Sequence, residues 1–119
     1  MTLDEIVKGL STVRGVVAVG VVDYGSGMVM AGVSKDPDFD FEIAAAGSVN
    51  IIRNKIRVMQ ALSIGDAIHD IQITLYKQYH LLCPCTHKHN AFIYMVADRT
   101  TANLSVCRRS MFNAEKLIV

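Results

Sequence analysis

The sequence lacks the features that mark several classes of protein. It has no tryptophan, two prolines and three cysteines among 119 residues. The odd cysteine count argues against a small secreted domain held by disulfides, because such domains usually pair their thiols. No apolar run approaches the roughly 20 residues that a membrane-spanning helix needs. We therefore predict a cytoplasmic protein with reduced thiols and no segment inserted into a membrane.

A surplus of one charge is also missing. The chain has 12 basic and 11 acidic side chains, for a net charge of +1. Dedicated nucleic-acid binders usually carry a strong basic surplus, so we predict no nucleic-acid partner. The opening MTLDEIVKGL has two acids where a signal peptide would be basic. Length and a 51% hydrophobic content predict one domain over residues 1–119, with a core that needs no disulfide or metal.

The apolar periodicity predicts the order helix, two strands, long helix, three strands, helix. Thr2 and Glu5 form a capping-box pattern, in which the hydroxyl and the carboxylate each bind a free backbone N–H at the start of the first helix. The other predicted elements are two strands around the 23–27 turn, the long helix 41–62, strands 70–76, 79–86 and 91–97, and a last helix. Short turns require adjacent strands to be antiparallel. We predict an α+β fold: a five-stranded antiparallel sheet that three helices cover on both faces.

The segment CPCTHKH is the strongest candidate for a metal site. Cys83, Cys85, His87 and His89 carry four donors that zinc accepts. Alternate residues of a strand, however, lie roughly 6.5–7 Å apart, whereas zinc donors lie about 2.0–2.3 Å from the metal. We therefore favour a strand whose inward residues are Tyr79, Leu81, Cys83 and Cys85, followed by a loop, with the pairing broken or bulged at Pro84. A metal site and a redox pair of cysteines remain alternatives.

The glycines do not form a phosphate-binding loop. Gly20, Gly25, Gly27 and Gly32 surround the first predicted hairpin, whereas a phosphate loop joins a strand to a helix and continues with Lys and Ser or Thr. We interpret them as turn glycines. No nucleophile, base and orienting group can be assembled from the sequence either, so we predict no catalytic residues, no cofactor and no enzymatic activity.

The long helix has more apolar residues than one buried face needs. Ala46, Val49, Ile52, Ile56 and Met59 mark the face predicted to meet the sheet. Ile51 and Val58 lie elsewhere on the helix, which predicts a second contact such as a partner chain. Asn50, Arg53, Asn54 and Arg57 form a polar row, which can either face water or bind a partner.

The layout resembles the Roadblock family, the dynein light chain type of domain that also occurs as small bacterial partners of Ras-like GTPases. The resemblance covers nearly the whole chain and rests on VRGVVAVGVVDYGSGMVMAGV, EIAAAGSVNIIRNKI, DIQITLYKQYHLL and AFIYMVADRTTANLSVCRRSM. The strand followed by Asp98 and by Ala102-Asn103-Leu104 is the most characteristic part. CPCTHKH departs from the family pattern.

The resemblance implies a fold, an assembly and a function. The long helix would cover one face of the sheet and the terminal helices the other. The third strand and the long helix would form a homodimer interface, which includes Ile51, Val58, Asp70, Gln72, Thr74 and Tyr76. The chain would be a non-catalytic scaffold that binds a Ras-like small GTPase through Asn50, Arg53, Asn54 and Arg57, modulating its nucleotide cycle or location. The alternative function is a metal- or thiol-based sensor that uses CPCTHKH on the same fold; a small enzyme is a third.

Overall fold

The computed structural model describes all 119 residues and consists of three helices and one five-stranded sheet. The helices are α1 (Leu3–Ser11), α2 (Phe41–Ala61) and α3 (Leu104–Glu115). The strands are β1 (Val16–Asp23), β2 (Val29–Ser34), β3 (Ile71–Thr74), β4 (Gln78–Pro84) and β5 (Ala91–Asp98). Their order across the sheet is β2-β1-β5-β4-β3, and every pairing is antiparallel. The predicted α+β class is confirmed.

The two faces of the sheet carry separate apolar clusters. One cluster of 18 buried residues joins the sheet to α1 and α3, and a second of 10 joins it to α2. The central strands β1 and β5 contribute to both clusters because their alternate side chains point to opposite faces. The long helix therefore lies on one face and the terminal helices on the other, as predicted. None of the three helices is long and apolar enough to span a membrane.

Each helix begins at a side chain that accepts a hydrogen bond from a free backbone N–H. The acceptors are the Thr2 hydroxyl (from Glu5), the Asp40 carboxylate (from Ile43) and the Asn103 amide oxygen (from Val106), each at 3.1 Å. Such caps typically stabilise a helix by about 1 kcal/mol. The capping box at α1 differs from the prediction, since the Glu5 carboxylate accepts from the Thr2 hydroxyl at 3.2 Å rather than from a backbone N–H.

Gly20 and Gly32 are strand residues, which corrects their interpretation as turn glycines. They pair directly across β1 and β2. A Cβ on Gly20 would lie 2.7 Å from the Phe41 ring, and one on Gly32 would lie 3.5 Å from it. The pair therefore leaves room for Phe41, the first residue of α2, to pack on the sheet. Only Gly25 and Gly27 lie in the turn, where Gly27 has a φ of 78°.

Several predicted boundaries shift. β3 is shorter than 70–76, because the chain turns at Leu75, whose N–H donates to the Gln78 carbonyl at 2.8 Å. Pro84 does not break or bulge the pairing, since it stands opposite Phe92 in regular register. The next N–H, that of Cys85, donates to Ala91 on β5 at 3.0 Å. By alternation, the ring nitrogen of Pro84 faces the side where β3 has not yet begun, so no hydrogen bond is lost.

The carboxyl end of α2 closes on Ser63 rather than on a glycine. The Ser63 N–H donates to Gln60 at 3.1 Å and the Ile64 N–H to Met59 at 2.9 Å, the pattern of a Schellman motif. Ser63 has a φ of 56°, the left-handed conformation that glycine adopts without a Cβ penalty. The nearest glycine, Gly65, lies two residues further on.

Replacing Ser63 with glycine is expected to stabilise the protein. Relief of the left-handed penalty exceeds the entropy that glycine adds to the unfolded chain, so the free energy of unfolding rises by about 0.5–1 kcal/mol. Ser63→Ala retains the Cβ and serves as the matched control. Chemical denaturation of both variants measures the difference, and equal stabilities would contradict this explanation.

Candidate interaction surface

The outer side of α2 carries an exposed apolar row that belongs to neither core cluster. Its apolar side chains are exposed to the following extents: Ile43 71%, Ile51 41%, Val58 43% and Leu62 66%. Gly47 lies in the same row, and a Cβ there would meet no atom within 4 Å. We call Ile43, Gly47, Ile51, Val58 and Leu62 the outer row. Its spacing keeps it on one side of the helix, away from the buried Ala45, Val49 and Ile52. Ala46, predicted to be on the buried face, is exposed.

The polar row beside it divides into one residue that binds its own chain and three that do not. The Arg53 guanidinium donates to the Tyr24 carbonyl at 3.1 Å and to the Gly25 carbonyl, and it lies 5.6 Å from the centre of the Tyr24 ring. Arg53 therefore holds the β1–β2 turn against α2. The other three side chains, Asn50, Asn54 and Arg57, are exposed and form no hydrogen bond within the chain. They are the part of the predicted partner surface that is free to bind.

Strand β3 is an edge of the sheet. It pairs with β4 on one side, and no strand lies on the other. Gln72 and Thr74 are exposed on it, and the Gln72 amide donates to the Thr74 hydroxyl at 3.1 Å. An edge of this kind presents unpaired backbone groups to which another strand can hydrogen bond.

Asp70 lies before β3 and has partners within the chain. Its carboxylate is 3.0 Å from the Arg108 guanidinium on α3 and 2.7 Å from the His69 ring, and its side chain is only 14% exposed. Burial would raise the pKa of Asp70, but the hydrogen bonds from His69 and Arg108 outweigh it and lower the pKa below its usual value. This carboxylate ties the start of β3 to α3, so its charge already has partners within the chain.

Tyr76 stands at the tip of the β3–β4 turn and is fully exposed. The turn itself is held firmly, because the Arg99 guanidinium donates to the Leu75 carbonyl at 2.7 Å and the Arg99 N–H to the Lys77 carbonyl at 3.0 Å. Arg99 also lies 5.3 Å from the centre of the Tyr79 ring. A fixed backbone with a free tyrosine suits contact with another molecule, since little entropy is lost on binding.

The CPCTHKH segment does not gather its four donors. Cys83 and Cys85 are buried in the cluster below α3, whereas His87 and His89 are exposed on the following loop. No group of three or more His, Cys, Asp or Glu side chains in the chain is placed to hold a metal ion. The physical reason is the strand alternation, which turns both thiols into the core while the loop carries the imidazoles outward.

The loop after Cys85 is anchored by a buried carboxylate. Glu115, at the end of α3 and 7% exposed, accepts hydrogen bonds from the Thr86 N–H at 2.9 Å and from the Thr86 hydroxyl at 3.0 Å. Burial first, and the nearby Glu115 charge second, raise the pKa of Cys83 and of Cys85 to about 12. Both thiols are therefore protonated at neutral pH, and the thiolate needed for metal binding or redox exchange is scarce.

We expect the three thiols of the folded protein to react slowly with a thiol reagent such as DTNB. Cys83, Cys85 and Cys107 are all free and buried, so modification requires an opening of the fold. The reaction should accelerate by at least about a hundredfold in denaturant. Rapid reaction of two thiols under native conditions would instead support the sensor alternative.

A cluster of three hydrogen-bonded polar side chains, which the sequence did not single out, lies beneath α2. The His80 ring nitrogens contact the Tyr94 hydroxyl at 2.7 Å and the Gln78 amide oxygen at 2.9 Å. Burial lowers the pKa of His80, and the Tyr94 ring stacks on Phe41 at 5.3 Å. Because both ring nitrogens are satisfied, this histidine has a structural role. His80 and Tyr94 meet only because β4 pairs with β5 in this register. Their spacing in the sequence therefore does not indicate the contact.

Comparison with solved structures finds the same fold repeatedly. A Roadblock/LC7 domain from Streptomyces avermitilis superimposes with a TM-score of 0.82 at 17% identity, over 99% of this chain and 95% of that one. MglB from Myxococcus xanthus gives 0.81 at 11% identity, over 95% and 88%. The gliding protein MglB from Thermus thermophilus gives 0.80 at 14% identity, over 94% and 82%. By fold, the chain is a Roadblock-type domain.

The sequence alone matches no family model and no curated protein. Identities of 11–17% with these three structures extend the likeness to the Roadblock-type fold and not to any residue of the surface. The positions of the outer row, the polar row and the β3 edge on that fold are therefore properties of this chain, and their function is argued from its own residues.

Proposed function

We propose that the chain is a non-catalytic, homodimeric scaffold that binds a Ras-like small GTPase and regulates its nucleotide cycle or location. The observation that carries the proposal is the outer row, an apolar helix side opposite the face that packs on the sheet. Together with the Roadblock-type fold, it supports a dimer in which α2 and β3 meet their copies.

The dimer would cover both features that the single chain leaves open. Pairing of β3 with its copy satisfies the free backbone groups of the edge, and the outer rows of the two helices bury each other's apolar side chains. In a two-fold dimer the same surface of each chain meets its copy. An apolar row along one helix can pack against its copy in this way. Self-association also occurs on this fold, since one MglB structure has a tetrameric arrangement.

The three free polar residues of α2 would contact the GTPase. Asn50, Asn54 and Arg57 are exposed next to the outer row, so a dimer would place two copies of the polar row near each other. Arg57 can pair with an acidic group of the partner, or approach the phosphates directly. Arg53 supports the site through its bonds to the β1–β2 turn instead of contacting the partner.

Binding of a Ras-like GTPase tests this assignment. We expect isothermal titration to show binding of the GTPase loaded with GDP or with a non-hydrolysable GTP analogue, and the chain alone to hydrolyse no GTP. Arg57→Glu should weaken binding by about tenfold or more, because a charged contact becomes a repulsion.

The matched control is Lys8→Glu, a charge reversal at an exposed position of α1, on the other face of the sheet. Both variants lower the net charge of the chain by two, so any long-range effect of net charge on affinity is the same for both. Beyond that shared effect, the control should change the affinity by less than about threefold. Equal losses from the two variants would contradict the polar row as the contact site. Absence of binding in either nucleotide state would contradict the function itself.

A further inference from the structure

A cavity of about 340 Å³ lies at one end of the sheet, between the last turns of α2 and two loops. One loop follows α2, and the other is the β4–β5 loop that contains His89. The volume falls in the range of small-molecule sites, roughly 300–1,000 Å³. The cavity is separate from the outer row and from the polar row, because none of their residues lines it.

The walls of the cavity are mainly apolar. Ten of its 14 lining residues are hydrophobic. Ile52 and Phe92 are buried and form part of the floor, whereas Ile56, Met59 and Ile68 are only partly covered. These partly covered side chains would lose more contact with water if the cavity were filled, and that transfer is favourable by about 25 cal/mol for each Å².

The polar groups that line the cavity favour a positively charged partner. The polar side chains of the lining are Tyr24, Gln60, Asp66 and His89, so Asp66 is the one acid and no lysine or arginine lines the cavity. One Asp66 oxygen accepts from the Ala67 N–H at 2.7 Å, and the other has no partner in the chain. Gln60, which also lines the cavity, makes no side-chain hydrogen bond. The free oxygens of Asp66 and Gln60 are acceptors, so they suit a ligand that donates.

The loop that carries Asp66 can adjust to a ligand. Residues 65–68 lie outside helix and strand and form no backbone-to-backbone hydrogen bond, whereas Asp70 further along is tied to Arg108. Ala67 and Ile68 separate this cavity from a second hollow on the other side of the loop. A segment with few hydrogen bonds and space on both sides can move at low cost.

We propose that this cavity binds a compact, apolar molecule that carries one amine. The apolar body fills the space between Ile56, Met59 and Ile68, and the ammonium group donates to Asp66 and Gln60. The interaction is independent of the dimer and of the GTPase.

Three probes that share one apolar body and differ only in the head group test the proposal. They are 4-phenylbutylamine, 4-phenylbutanol and 4-phenylbutanoate, titrated into the full chain while the methyl NMR signals of Ile56, Ile64 and Ile68 are followed. We expect the amine to bind with a dissociation constant below about 1 mM. The alcohol should bind about tenfold more weakly, and the carboxylate more weakly still.

Two variants locate the site. Asp66→Asn keeps the acceptor for the Ala67 N–H, so it should reduce the amine affinity about tenfold and leave the alcohol affinity unchanged. Ala67→Leu narrows the cavity from an exposed position and should weaken all three probes. Asp38→Asn, in the exposed loop before α2, is the matched control and should change nothing. Equal affinity for the three probes, or no methyl shift with any of them up to about 5 mM, would overturn the proposal.

Discussion

Ile51→Asp combined with Val58→Asp is expected to convert the proposed dimer into a monomer. The two side chains are 41% and 43% exposed in the single chain, so the fold itself loses little packing. In a two-fold interface each substitution occurs twice, which places four carboxylates in an apolar contact without partners. Burial of each unpaired charge costs several kcal/mol. The dissociation constant should therefore rise by at least about a thousandfold.

Light scattering after gel filtration measures this change directly. The mass should fall from twice the chain mass of 13.1 kDa to that mass. Val106→Asp is the control, because Val106 is a 50% exposed valine on α3, away from the outer row. It should remain a dimer. If the double variant has the same mass as the unaltered protein, the outer row is not part of the dimer interface.

Gly15→Ala is expected to destabilise the fold by about 3 kcal/mol. Gly15 has a φ of 88°, and a Cβ there would lie 2.6 Å from the Ala102 backbone. The Gly15 carbonyl also accepts from the Asp98 N–H at 2.8 Å, so the residue cannot move away without breaking the join between β1 and β5. The alanine methyl group is therefore unfavourable for two reasons: the positive φ strains the backbone, and the methyl group overlaps Ala102.

The control for this prediction is another glycine-to-alanine change. Gly65 lies in an exposed loop, has no positive φ, and a Cβ there would meet no atom within 4 Å. Gly65→Ala should therefore alter the free energy of unfolding by less than about 0.5 kcal/mol. Thermal unfolding at one protein concentration should show a fall of about 10 °C for Gly15→Ala. Equal melting temperatures for the two variants would contradict the packing at Ala102.

The sequence predicted the fold well where a repeating pattern of side chains carries it. Tyr79, Leu81, Cys83 and Cys85 alternate along one strand and its extension, and all four pack in or against the cluster under α1 and α3. Such patterns depend only on the strand period, so they can be recognised without relatives. The helical period in the same way distinguishes the buried side of α2 from the outer row. One residue differs from the prediction, because Ala45 is buried and Ala46 is exposed.

The sequence did not predict contacts that depend on residues far apart in the chain. The sequence places Gly20 and Gly32 at a turn because nothing local shows that the Phe41 ring lies above them. The helical spacing groups Arg53 with Asn54 and Arg57, although Arg53 binds carbonyls 28 and 29 positions earlier. Periodicity places a residue on a side of a helix but does not identify the atom that it meets.

The partner surface is the least predictable part for a physical reason. Three solved structures of this fold share only 11–17% of residues with the chain, so the fold tolerates wide changes in side chains. Exposed side chains contribute little to folding, so the fold does not constrain them. The assignment of Asn54 and Arg57 to a GTPase contact therefore depends on binding experiments with this chain.

We infer that the outer row and the β3 edge join two copies of the chain. Sedimentation equilibrium of the unaltered protein, without any partner, measures this association. We expect about twice the chain mass of 13.1 kDa, retained on dilution to the low micromolar range. A mass of one chain at every concentration up to about 100 μM would contradict the dimer. The outer row of α2 would then stay exposed to solvent in the unaltered protein.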